Sequence, residues 1–147
     1  MLNRQDAKDA KTEEGQKVMR EPDAGLDRLA YRVIGCALEV HKHLGPGFLE
    51  SVYEEALSLE LQRQEISFAR QHEVAIDYKG DPVGMGRLDF LVDEQLIVEL
   101  KATDALAPIH TAQVLSYLRM TGCKLGLLIN FNVTMLRQGV ERIVLSF

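Results

Sequence analysis

The stretch Arg87-Leu88-Asp89-Phe90-Leu91-Val92-Asp93-Glu94-Gln95-Leu96-Ile97-Val98-Glu99-Leu100-Lys101 constrains the fold more than any other. Apolar residues recur with period two on both sides of Asp93-Glu94-Gln95, which predicts a hairpin closed by a three-residue loop. Pairing Val92 with Leu96, Phe90 with Val98 and Leu88 with Leu100 makes one face wholly apolar. Burying that face selects this register over a one-residue slip. The opposite face then sets Asp89 across from Glu99 and Arg87 across from Lys101, with Cβ atoms roughly 4.5 to 5.5 Å apart. Two carboxylates so close repel, and a divalent cation between hard oxygen ligands is the simplest compensation that also does chemistry. Lys101, on the same face as Glu99, can orient a nucleophile or neutralise developing charge. The same spacing also fits an exposed face on which Arg87 and Lys101 bridge the acids in surface ion pairs worth ~0 to 1 kcal/mol.

Around this hairpin the chain reads as one domain of mixed class. Its 147 residues leave no room for a second core of ordinary size, and 46% hydrophobic with 27% charged residues excludes a disordered chain. No apolar run is long enough for a bilayer span, and the N-terminus lacks a signal-peptide core. A cytoplasmic address is expected. Cys36 and Cys123 stand far apart in apolar contexts and read as reduced, buried thiols, not as a zinc or disulfide framework. Residues 1–24 mix acids and bases with little to bury and are expected to form a flexible leader, leaving 25–147 as the domain.

From Leu26, apolar residues at helical spacing end at Gly45-Pro46-Gly47 and predict a first helix. A second helix runs from Leu49 to about Gln64, with Glu50 and Glu54 four apart near its dipole-positive end. Alternation over residues 72–78 predicts a strand entering a turn at Lys79-Gly80-Asp81-Pro82. Strands are then expected over about 85–92 and 96–101, a helix from about His110 to Thr121, a doubly covered strand over 125–131, and a short edge strand over 140–145. Gly84-Met85-Gly86 lacks the lysine and helix of a phosphate loop and suggests a bulge or close packing. His41, His43 and His72 read as surface or helix-end histidines, whereas His110, opening its helix, could approach the site.

Gly47-Phe48-Leu49-Glu50-Ser51-Val52-Tyr53 resembles the signature of the GxxExxY proteins in its Gly47, Glu50 and Tyr53. The resemblance runs from about Leu29 to Leu145 and takes in Asp89, Glu99-Leu100-Lys101, Gln113 to Tyr117 and the Leu125 to Phe131 strand. That family belongs to the PD-(D/E)XK nuclease-like superfamily. The resemblance therefore implies an α/β, restriction-endonuclease-like core, a small mixed sheet flanked by helices in the order helix, helix, three strands, helix, strand, strand. It implies that Asp89 and Glu99 ligate Mg²⁺, with Mn²⁺ a possible substitute, that Lys101 assists the attacking water, and that Glu50 completes the catalytic set from its helix. Gln113 and Tyr117 resemble a helix motif that contacts the nucleic-acid backbone in exonuclease branches. Leu88 stands where the superfamily often has a proline.

Two functions are compatible with these residues. One is a Mg²⁺-dependent phosphodiesterase acting on DNA in preference to RNA, with Arg87, Arg119 and Lys124 as further phosphate contacts. The other is a non-catalytic module that keeps the fold and binds nucleic acid or a protein. The formal charge of -5 favours the module, because nucleic-acid coating needs surplus cations. The intact Asp89, Glu99 and Lys101 favour the enzyme. Homodimerisation through the edge strand is a further expectation.

Overall fold

A computed structural model describes residues 23–145. It contains helix α1 (Ala24–Leu44), helix α2 (Glu50–Arg63), strands β1 (Phe68–Tyr78), β2 (Asp81–Val92) and β3 (Leu96–Lys101), helix α3 (Pro108–Thr121), strand β4 (Leu125–Asn130), a 3-10 turn over Leu136–Gly139, and strand β5 (Val140–Val144). The strands form one sheet in the order β1-β2-β3-β4-β5. Only β3 and β4 run parallel, joined by α3 as the crossover. The result is a mixed α/β sheet flanked by helices, with the element order expected from periodicity.

Helix α1 starts earlier than its apolar stripe suggests because Asp23 caps it, its carboxylate accepting from the Leu26 N–H at 2.8 Å. Asp23 and Ala24, expected in the leader, thus form the cap and first residue of α1; residues 1–22 lie outside the described part. Glycine 45, at φ 69°, ends the helix and returns its N–H to the His41 carbonyl. Strand β2 also begins earlier than expected. The turn between β1 and β2 needs only Lys79 and Gly80, both at positive φ, so Asp81 and Pro82 already belong to the strand.

Two apolar layers sandwich the sheet. Helices α1 and α2 cover one face, where Val33, Ala37, Tyr53, Leu57 and Leu61 meet Phe90, Val98, Leu100, Leu127 and Ile129. Helix α3 covers the other, where Val114 and Leu118 meet Ile97 and Leu128. Every residue of β4 is buried, as its continuous apolar run predicts. His41 corrects the surface reading. It is buried, its Nε2 lies 2.8 Å from the Val133 carbonyl, and its ring leans on Phe131. Cys123, expected to be buried, is only partly so; both thiols are free.

Candidate active site

The β2–β3 hairpin follows the register read from its sequence over Val92↔Leu96, Leu91↔Ile97 and Phe90↔Val98, and there the ladder stops. Beyond it the carboxylates replace the backbone bonds. The Asp89 N–H donates to Glu99 Oε2 at 2.8 Å, and the Leu100 N–H donates to Asp89 Oδ2 at 2.8 Å. Asp89 and Glu99 are thus locked together through each other's strand. This interruption also corrects the expected position of Leu88. Instead of pairing with Leu100 beside Phe90, Leu88 joins the α3-side cluster, while Phe90 stays with α1 and α2.

Burial makes the pair electrostatically expensive. Glu99 is 5% exposed. Desolvation, then the charge of Asp89, push its carboxyl from 4.5 to about 8, against the opposing effects of the Asp89 N–H and the Lys101 ammonium. Desolvation likewise raises Asp89, relieved by the Leu100 N–H and aggravated by Glu54. Glu50, the first residue of α2, is raised by desolvation and next by Asp89, with Lys101 pulling the other way. The three acids and Lys101 therefore share one electrostatic neighbourhood, in which negative charge outweighs its compensation.

This donor set can be tested against a cation. Backbone N–H groups occupy Asp89 Oδ2 and Glu99 Oε2, which leaves Glu99 Oε1 and Asp89 Oδ1, the latter with only a long 3.4 Å hydrogen bond from the Gln71 amide, as the oxygens to ligate. Among the described residues, no three His, Cys, Asp or Glu side chains are gathered into a ready cage. A hard cation that keeps several waters and takes one or two carboxylates, as Mg²⁺ does, suits such a site; one requiring an all-protein shell does not.

The other residues singled out in the sequence divide into two groups. Lys101, half-buried, ends β3 beside the carboxylates. Arg87 instead faces β1, pairing loosely with Glu73 at 3.8 Å, so the expected surface pairing of Asp89 and Glu99 with Arg87 is not formed. Gln113 and Arg119 are exposed on α3, and Lys124 is exposed just after it. Tyr117 is half-buried, and a Cβ on Gly86 would meet its ring at 2.6 Å, so the close packing expected around Gly86 is present. His110 caps α3, its Nδ1 accepting from the Ala107 N–H at 3.0 Å.

Several supporting contacts are not visible in the sequence. The Tyr53 hydroxyl donates to the Gly45 carbonyl at 2.6 Å and accepts from the Phe48 N–H at 3.2 Å, while its ring stacks on Phe131 at 4.5 Å. Tyr53 thereby fixes the loop that launches Glu50. Glu54, one turn further along α2, accepts from Arg70 at 3.0 Å and from Gln71 at 2.9 Å. Its spacing from Glu50 is visible in the sequence, but its partners on β1 are not. Buried Asn130 clasps the chain after Lys101, accepting from the Thr103 N–H and donating to the Thr103 carbonyl.

The family profile described as the PD-(D/E)XK nuclease superfamily matches residues 27–143. No curated protein matches the chain.

Proposed function

Because the chain belongs to the PD-(D/E)XK nuclease superfamily, we propose that it is a Mg²⁺-dependent nuclease of the GxxExxY type, hydrolysing phosphodiester bonds in DNA in preference to RNA. The observation that carries this reading is the interlocked Asp89 and Glu99 pair beside Lys101. A stable fold has little reason to bury two acids against each other, whereas a cation site needs them.

Asp89 and Glu99 would hold the cation, and Glu50 would add a third carboxylate, directly or through water. A divalent cation bound there supplies Lewis acidity toward a phosphate oxygen and makes water a stronger acid. Lys101 orients the attacking water for in-line approach and offsets the charge that grows on the phosphorus oxygens. Gln113, Tyr117, Arg119 and Arg87 are the candidate contacts to the backbone of the nucleic acid.

Incubation with single- and double-stranded DNA and RNA, in Mg²⁺, Mn²⁺ or EDTA, tests the reading. Cleavage that needs the cation and drops at least about 100-fold in both Asp89→Ala and Lys101→Ala is expected. Wild-type protein that is inactive on all four substrates, and no more heat-stable with Mg²⁺ than with EDTA, would favour the non-catalytic module.

A further inference from the structure

Gln71 lies in the middle of β1 with φ at 50°, a left-handed conformation that glutamine rarely adopts. Two ordinary explanations fail. The kink is not a bulge, because Arg70↔Phe90 and His72↔Leu88 continue in one register, with no extra residue taken up between them. Nor is it a chain reversal, since the turn between β1 and β2 is at Lys79 and Gly80. What the kink does is take Gln71 and Asp89 out of the ladder at the position where they would have paired.

The side chains show the consequence. Consecutive residues of a regular strand point to opposite faces. Here Arg70 and Gln71 both reach the Glu54 carboxylate, Arg70 through Nη2 to Oε2 at 3.0 Å and Gln71 through Nε2 to Oε1 at 2.9 Å. The same Nε2 also lies 3.4 Å from Asp89 Oδ1, a long hydrogen bond to the oxygen that Leu100 leaves open. Glu54 is itself immobilised, because Arg70 bridges it to Glu55. One amide therefore stands between a fixed carboxylate on α2 and the open oxygen of a carboxylate on β2.

We infer that Gln71 is a positioning residue for the carboxylate site: its strained backbone turns the side-chain amide so that Asp89 Oδ1 is held in a fixed direction from the Glu54–Arg70 pair. The inference rests on the cation-site reading above and deepens it. Backbone strain persists where a functional geometry over-determines it. Outer-shell partners of ligating carboxylates fix their orientation, and losing one commonly lowers cation affinity about 10- to 100-fold.

Calorimetric titration of the purified chain with Mn²⁺ and Mg²⁺, combined with thermal melts in EDTA, tests this in wild type, Gln71→Gly, Gln71→Asn and Asp89→Ala. Glycine adopts φ 50° without strain, and asparagine tolerates it but is one methylene too short to span both carboxylates. The expected result is that both Gln71 variants melt at or above the wild-type temperature yet bind cation at least about 10-fold more weakly. A residue that served only the fold would instead lower the melting temperature and leave affinity alone. Wild-type affinity in both variants, with affinity lost in Asp89→Ala, overturns the role of Gln71 while the cation site stands. No cation binding by the wild type overturns the site reading and this inference together.

Discussion

At the scale of single residues, Glu99 is where the site sets itself against stability. Its folded-state carboxyl titrates near 8 whereas an unfolded glutamate titrates near 4.5, so the folded chain binds the proton more tightly. The stabilising contribution of that proton is complete below the unfolded value and is lost as pH rises through the folded one. At roughly 1.4 kcal/mol per tenfold change in proton affinity, the loss reaches a few kcal/mol at alkaline pH. In EDTA the melting temperature should therefore fall between about pH 5 and pH 9. Glu99→Gln should flatten that fall, and Mg²⁺ should restore stability to the wild type at pH 8 but not to the variant. A flat wild-type profile in EDTA would mean that Glu99 is not raised. Tyr53 carries the opposite kind of load. Tyr53→Phe keeps the stack on Phe131 but leaves the Gly45 carbonyl and Phe48 N–H without their partner, a cost of about 1 to 3 kcal/mol by denaturant titration. No loss would show that the loop holds itself.

At the scale of elements, contact across the sheet depends on small residues. Helix α3 approaches β2 closely enough that the Tyr117 ring occupies the space a side chain on Gly86 would need. Gly86→Ala should cost about 1 to 3 kcal/mol through this overpacking. Tyr117→Ala in the same chain should recover part of that loss, giving a measurable coupling in a double-mutant cycle; additive effects would place the strain elsewhere. The elements themselves were largely legible because periodicity reports burial. The β2–β3 register followed from putting Phe90, Val92, Leu96 and Val98 on one face, and β4 from its unbroken apolar run. The same reasoning failed one step further along. It carried the ladder through to Leu88, because periodicity cannot show that two carboxylates take over the backbone donors. Gln71 and Glu54 were hidden for a related reason: their roles depend on a kink that no propensity announces and on a contact between α2 and β1. His41 was misread because a polar residue near a helix end gives no sign that a carbonyl 92 positions later will accept it into the core.

At the scale of the whole molecule, the net charge of -5 governs how such a site could meet nucleic acid. The cations proposed as phosphate contacts are Arg87, Arg119 and Lys124 in addition to Lys101, and Arg87 already pairs with Glu73. Among the described residues no helix is long and apolar enough to cross a membrane. Each phosphate neutralised adds about 0.9 to the slope of log affinity against log salt on duplex DNA. Binding of a short duplex by the Lys101→Ala variant, which removes one candidate, should therefore give a shallow slope of about -3 or less in magnitude. Affinity should then come chiefly from the cation site, so that EDTA weakens binding more than a moderate rise in salt does. A slope of about -6 or steeper would require a basic surface beyond these residues. Arg4, Lys8, Lys11, Lys17 and Arg20 are five further cations close together in the sequence, interleaved with Asp6, Asp9, Glu13, Glu14 and Glu21. Removing residues 1–22 would then have to return the slope to the shallow value, and a slope that stayed steep would refute a substrate path along α3.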